Sequence, residues 1–381
     1  MNKIISLIKK DPMLPVAATA ALISLLITPP SLRLLSDIDW HTLGTLFMML
    51  TVLEGFKKEN IFRPLLQLAG GFHTMAALSL FLVFSVFFTS MFVTNDVSLI
   101  IFVPLTIILF RAGQKEKYIL PILTMENIAA IRGSLLMPFG SPQNLFIYGK
   151  SGVTAWHFIT YMFPLWILSA GLLFCFVLFP YRRNLKEQTG ITSASCAGEW
   201  DKKRTPHRIA YLCVFALVIG TIVSRTELWP YIAVLVAVVV FLIDRKILVH
   251  TDYVLLLTFL CFFVFSSSIA ANKTISAFLS NAVGNHEYVG SILLSQLISN
   301  VPAAIVLYPF SINIGALLYG LDSAGLCSLI GSLASVINYR LYVKEYPKNG
   351  MTFIKVFTLI SLAFFLLVAL PGYLWSRAGT F

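Results

Sequence analysis

Charge is what this sequence has least of. Aspartate, glutamate, lysine and arginine make up 12% of its 381 residues, against 58% hydrophobic residues and a mean hydropathy of +0.85. A soluble domain needs about 25% charged residues to face water, so a water-soluble fold is excluded and an all-α polytopic membrane protein is expected. The five cysteines (Cys175, Cys196, Cys213, Cys261, Cys327) lack any paired spacing, which argues against a disulfide framework or a zinc site. The six histidines include no His-x-x-x-His pair, and neither a Gly-x-Ser-x-Gly elbow nor a phosphate-cradling glycine loop occurs. An enzyme is not expected, and no cofactor. The net charge of +11 would suggest nucleic acid in a soluble protein, but in a bilayer the placement of the charges matters more than their sum.

What is present is apolar sequence in lengths suited to lipid. Runs of roughly 17 to 25 apolar residues cross about 30 Å of hydrocarbon as helices. Crossings are expected at about 12–30, 40–56, 118–148, 158–180, 208–225, 229–245, 251–270, 322–342 and 353–375, with two polar-tipped hairpins at about 75–111 and 288–319. The first run has a basic start and no small-residue cleavage site, so it reads as a retained helix. With the N-terminus in the cytoplasm, most of the 28 lysines and arginines fall inside. Outside are Arg33, Lys150, Arg225, Lys273 and Arg377, and Arg132 alone is left at membrane depth. The expected orientation is therefore a cytoplasmic N-terminus and a C-terminus outside. Residues 60–72 have the spacing of an amphipathic surface helix. The polar linker 181–207 divides the chain into halves 1–180 and 208–381.

The halves repeat one another. DWHTLGTLF from Asp39 parallels DYVLLLTFL from Asp252, each with a threonine six residues after the aspartate. TNDVSLIIFVP and SNVPAAIVLYP each end in a proline nine residues after an asparagine, Asn95 or Asn300. Each hairpin is then followed by a Gly-Ser pair, Gly140-Ser141 and Gly331-Ser332. In this topology the first hairpin enters from the cytoplasm and the second from outside, so the expected fold is two inverted repeats, each with a re-entrant hairpin and a broken transmembrane helix (118–148 and 322–342). Such repeats build transport sites near the midplane.

A helix broken inside a membrane leaves backbone groups unpaired at a cost of several kcal/mol each. In FGSPQN, Gly140 and Pro142 are expected to end the helix that starts near Tyr118, with Ser141, Gln143 and Asn144 adding polar groups; the second break has Gly331, Ser332 and Ser335. The tips Thr94-Asn95 and Ser299-Asn300 precede new helices expected from about 97 and 303. Helix N-termini favour an anion, and tip oxygens suit a hard cation such as sodium, although the same residues also serve as ordinary N-caps. Asp96 reads as a cation ligand, a proton carrier or a water-facing cap. Arg132 reads as an anion attractor, a partner of Glu126 through an intermediary, or a snorkelling side chain.

At TND…VPLT, GSPQN and ISNVP…IGSLAS the sequence resembles the ion transporter superfamily. That group includes the arsenical pump membrane subunit, NhaD-type sodium/proton antiporters, citrate-magnesium transporters and divalent anion/sodium symporters. The likeness runs from about Asp39 to Trp375 and is greatest to a small bacterial subgroup of anion permeases related to the arsenite permease. The resemblance implies a homodimer with a scaffold and an elevator-like transport domain. Carried over by position, Thr94, Asn95, Gly140, Ser141 and Asn144 would form one half-site, and Ser299, Asn300, Gly331, Ser332 and Ser335 the other. Sodium would sit at Asn95 with Ser141 and at Asn300 with Ser332. The tips here read Thr-Asn-Asp and Ser-Asn-Val, a pattern closer to the arsenite permease branch.

The function expected is a secondary active transporter for a small carboxylate or oxyanion, coupled to Na+ or H+. The alternative is a sodium/proton antiporter exchanging at Asp96, and the lipid bilayer and the small anion are the expected partners.

Overall fold

The structure, a computed structural model, describes residues 13–28, 38–62, 64, 68–190, 204–378 and 381. The N-terminal segment and residues 191–203 of the linker lie outside the described residues, as does part of the expected surface helix 60–72. Sixteen α-helices and several short 3-10 turns make up the described chain. Among the described residues, six helical segments are long and apolar enough to cross a bilayer: Met75–Val93, Asn95–Ala112, Ala155–Tyr181, Thr205–Ser224, Tyr253–Ala271 and Pro347–Ala378.

The first unit begins after α1 (Met13–Ile27) with α2 (Trp40–Lys58), whose N-cap Asp39 accepts from the backbone N–H of Thr42 at 3.0 Å. The hairpin follows as α3 (Met75–Val93) and α4 (Asn95–Ala112), then the broken helix as α5 (Ile119–Gly133) and α6 (Pro142–Ser151), then α7 (Ala155–Leu178). Helices α8 (Thr205–Ser224) and α9 (Trp229–His250) lead to the second unit. There α10 (Tyr253–Ala271) is capped by Asp252, which accepts from Leu255 N–H at 3.0 Å. The matched aspartates thus perform the same local task. The amphipathic α11 (Lys273–Val283) leads to the hairpin α12 (Glu287–Ile298) and α13 (Asn300–Leu307), the broken pair α14 (Ile314–Ala324) and α15 (Leu333–Glu345), and α16 (Gly350–Ala378).

Several boundaries differ from expectation, each for a local reason. The helix after Tyr118 ends at Gly133, not at Gly140, and Pro142 opens α6 rather than closing α5; proline is at home at the first helical position, where its missing N–H has no partner to lose. The helices after the tips start at Asn95 and Asn300, because one residue suffices to reverse the chain. The second hairpin stops by Phe310, since Asn313 caps a new helix by accepting from Ala316 N–H at 2.8 Å. The second broken helix therefore begins at Ile314 rather than at 322.

Packing couples the halves. Within each unit the first hairpin helix lies on the first half of the broken helix, α3 on α5 and α12 on α14. Across units the second hairpin helix lies on the other unit's second half-helix, α4 on α15 and α13 on α6. Helices α1, α2, α8, α9 and α10 form a second group, α1 against α10 and α2 against α8 and α9. The linker is tied to the base of the first hairpin: Met75 N–H donates to Glu187 O at 2.8 Å, and Lys115 and Tyr118 donate to the Glu187 carboxylate at 2.7 and 2.6 Å. Hydrogen bonding from Lys115 and Tyr118 holds the Glu187 carboxyl below its ordinary pKa.

The two breaks are built alike. Each runs between helices over eight irregular residues, 134–141 and 325–332, and ends on a serine in extended conformation, Ser141 (φ −146°, ψ 154°) or Ser332 (φ −147°, ψ 139°). A Cβ at Gly140 would strike the Ser134 carbonyl, and one at Gly331 the Ala324 carbonyl. Gly171 in α7 has open space around it. Gly140→Ala should therefore lower stability by about 1–3 kcal/mol through overpacking, whereas Gly171→Ala should be neutral or stabilising by up to about 1 kcal/mol. Melting of the purified variants in detergent checks both; equal losses would show that the close approach at Gly140 is not what matters.

Candidate substrate and ion site

The two tips share one unusual backbone conformation. Thr94 has φ 71° and ψ 155°, and Ser299 has φ 70° and ψ 159°. This region is close to glycine-only territory and costs of the order of 1–3 kcal/mol for a residue with a side chain. Neither side chain caps the helix it precedes. The residues most naturally read as N-caps thus do not act as such, and the first N–H groups of α4 and α13 gain no partner from them.

Around tip 1, Thr94 and Asn95 are buried; Asn95 Oδ1 accepts from Asp96 N–H at 2.9 Å, and Ser98 Oγ donates to Thr94 O at 3.1 Å. Asp96 is half-buried, its Oδ1 is shielded and without a hydrogen-bond partner, and it lies within electrostatic reach of Lys57 and Asp252. Lys57 lies in the last turn of α2. Helices α3 and α4, at 19 and 18 residues, are each long enough to cross a bilayer.

Around tip 2, Asn300 N–H donates to Gly331 O at 3.2 Å, so this tip and its own break meet directly. Gln296 reinforces the junction by donating to Ala324 O at 3.1 Å while accepting from Ser328 Oγ at 2.6 Å. Asn300 and Gly331 are therefore in contact, each next in sequence to Ser299 or Ser332. Among the described residues no comparable hydrogen bond joins Thr94 or Asn95 to Gly140 or Ser141. Ser141 instead caps α6, accepting from Asn144 N–H at 3.4 Å. Ser335 is turned to the other unit, its Oγ accepting from Asn127 Nδ2 at 3.0 Å.

Between the breaks lies a buried charged cluster. Arg132, fully buried near the end of α5, donates through Nε to Ser169 Oγ at 2.9 Å and through one terminal nitrogen to Asp322 O at 3.1 Å, while its other terminal nitrogen has no partner. Gln143 Nε2 donates to Asp322 Oδ1 at 3.0 Å. With its amide turned so that oxygen and nitrogen are both satisfied, Asn144 donates to both Asp322 oxygens at 3.2 Å. Asp322 was missed because the boundary expected at 322 put it at a membrane edge; inside the apolar run of ALLYGLDSAGL its carboxylate is the available signal. Glu126 does not pair with Arg132: its Oε1 accepts from Thr106 Oγ1 at 2.5 Å, and its Oε2 is buried without a partner. Among the described residues no group of three or more His, Cys, Asp or Glu side chains could hold a metal ion. Any cation would have to be held largely by hydroxyl, amide and backbone oxygens.

Arg132 and Asp322 are opposite charges buried in one cluster, joined through the Asp322 backbone carbonyl, and removing either leaves the other without its counter-charge in a medium of low dielectric. Arg132→Met and Asp322→Asn should each destabilise the protein by about 3 kcal/mol, and the double variant by clearly less than the sum. Melting of the two single variants and the double variant in detergent tests this; strict additivity would show that the two charges do not interact.

The geometry can be set beside known proteins. The sequence matches the citrate transporter family over residues 4–336. It is 31% identical over 344 residues to the inner membrane protein YbiR of Escherichia coli, a match covering 88% of this chain and 87% of that one. It is 29% identical over 305 residues to an uncharacterized transporter of Methanocaldococcus jannaschii, covering 80% and 81% of the two chains. Among solved structures, the YdaH transporter of Alcanivorax borkumensis shares the fold with a TM-score of 0.59 over 96% of this chain and 97% of that one, at 13% identity. The multi-pass helical architecture, the match along most of the sequence and the relatives together make this chain a membrane transporter of the citrate transporter family.

Proposed function

We propose that the protein is a secondary active transporter that moves a small anion, a carboxylate or an oxyanion, across the inner membrane, coupled to a sodium or proton gradient. The observation that carries this reading is the pair of uncapped helix starts at Thr94-Asn95 and Ser299-Asn300, held in one strained conformation inside the apolar body. Although Asp96 N–H is held by Asn95 Oδ1 and Asn300 N–H by Gly331 O, the two helix N-termini offer an anion partial positive charge without a mobile side chain. The half-sites are Thr94, Asn95, Gly140, Ser141 and Asn144, and Ser299, Asn300, Gly331, Ser332 and Ser335. Sodium sits beside them at Asn95 with Ser141 and at Asn300 with Ser332. Arg132, tied to Asp322, positions the first break against the second half of the molecule.

In this mechanism the two units are inverted. The hairpins and broken helices move together as an elevator-like body against α1, α2 and α8–α10, which form the scaffold of a homodimer. The N-terminus is cytoplasmic and the C-terminus outside. The cross-packing of α4 on α15 and α13 on α6 supports a single moving body, because two interlocked units cannot shift past each other without breaking both contacts.

A second reading has a specific observation in its favour. Asp96 keeps a shielded, unpartnered oxygen beside the first tip, as an exchanging carboxylate of a sodium/proton antiporter would. The two readings part in proteoliposomes on a solid-supported membrane, with sodium jumped at constant ionic strength. Anion transport predicts a current that needs both sodium or a proton gradient and a member of a carboxylate and oxyanion pool, with Asp96→Asn still binding the anion. Antiport predicts a luminal pH change indifferent to anions and abolished by Asp96→Asn.

The strained tips make a further prediction. Thr94→Gly and Ser299→Gly should each stabilise the protein by about 1 kcal/mol by relieving the backbone, yet weaken anion-dependent current. Variants that gain stability and keep full transport would count against a binding role for the two side chains.

A further inference from the structure

A second polar cluster lies away from the tips, where α4, α5 and α15 pack on one another. Leu123, Glu126 and Asn127 occupy one face of α5 at helical spacing, with Ser335 and Asn338 opposite on α15 and Thr106 on α4. Thr106 is eleven residues beyond Asn95, about 16 Å along the helix. Glu126, Asn127 and Asn338 are fully buried.

The hydrogen bonds of the cluster leave a one-sided remainder. Asn127 Nδ2 donates to Ser335 Oγ at 3.0 Å, and Asn338 Nδ2 donates to Leu123 O at 2.7 Å. The Asn338 amide is pinned by its nitrogen because its partner is a carbonyl, which can only accept, whereas Asn127 faces a hydroxyl that can meet either end of the amide. Asn127 Oδ1, Asn338 Oδ1 and Glu126 Oε2 all remain buried without a donor. All three leftover atoms are acceptors, and one belongs to a carboxyl group whose side-chain partner is a hydroxyl, Thr106. A buried polar atom left unpaired costs about 1–3 kcal/mol, and a charged one more. A proton on Glu126 answers one of the three; a hard cation that takes several oxygens answers all of them.

We propose that Glu126, Asn127 and Asn338 form a buried monovalent-cation site between α4, α5 and α15 that takes sodium, distinct from the hairpin tips. Its place suits coupling, because it joins the second helix of hairpin 1 to both broken helices. Sodium there links two helices of the first unit to one of the second. The coupling role rests on the transporter reading; the binding does not.

The test is equilibrium binding of radiolabelled sodium to the purified full-length protein, with choline holding ionic strength and no anion present. The expected result is that Glu126→Gln, which keeps the shape, binds sodium at this site at least about tenfold more weakly, and that Asn338→Ala, which keeps the carboxylate, also weakens it. Asn300→Ala at the second tip should retain this sodium. Melting in choline alone separates loss of binding from loss of fold: Glu126→Gln should melt at or above wild type, because a neutral amide replaces an unpaired carboxyl. Wild type that binds no sodium, or Glu126→Gln that titrates like wild type, would overturn the proposal. Failure of the transport reading is distinguishable, since it removes the sodium-driven current while leaving Glu126-dependent sodium binding intact.

Discussion

Inside a bilayer no water is at hand for a backbone amide or carbonyl that lacks a partner, and everything unusual in this protein follows from that constraint. Two tips and two breaks interrupt helices in a chain that is otherwise made for lipid. The ends they create are met by groups from elsewhere in the fold. Asn300 N–H takes the Gly331 carbonyl, Gln296 takes the Ala324 carbonyl, and Arg132 takes the Asp322 carbonyl. The last of these runs between the two halves of the sequence. Neither broken helix is a self-sufficient unit, and the interior polar groups bind the halves into one body.

Much of this was legible in the sequence where the requirement is local. A backbone approach that excludes Cβ demands glycine, and a serine after it can start the next helix, so Gly140-Ser141 and Gly331-Ser332 mark the ends of both breaks. The aspartates that pair Asp39 with Asp252 are caps, and a cap is satisfied within three residues of itself. What was not legible depends on partners far away. Asp322 makes sense only beside Arg132, Gln143 and Asn144, about 180 residues away or more. One of the three alternatives for Arg132, a link to Glu126, finds no direct contact for a simple reason. Six residues carry the chain through about 600°, so the two side chains leave α5 on different faces.

The two units are alike in their tips and breaks but not in their lengths. The first hairpin has helices of 19 and 18 residues, the second 12 and 8. Yet Thr94 and Ser299 agree to within a few degrees in both torsions. Such agreement across unequal hairpins indicates that the tip conformation is what the fold preserves, while the helices that carry it vary. A residue with a Cβ in this region is tolerated only where its surroundings enforce it. At tip 2 the bond from Asn300 to Gly331 supplies part of that enforcement.

The charges are distributed as unequally as the lengths, and this bears on coupling. Arg132 and Asp322 lie in one buried cluster within electrostatic reach of each other, whereas Asp96 near the first tip and Glu126 on α5 have no basic partner in hydrogen-bond contact. Val301 stands where a counterpart of Asp96 would be, so the second tip carries no such charge. On the proposed reading, an anion that approaches this region meets helix N-termini that attract it and carboxylates that repel it. In a medium of low dielectric the repulsion is strong. Cations that neutralise the carboxylates before the anion arrives turn a repulsive site into an attractive one. The coupling of anion to cation is then a consequence of where two acidic side chains are buried, without any separate linking device between the sites.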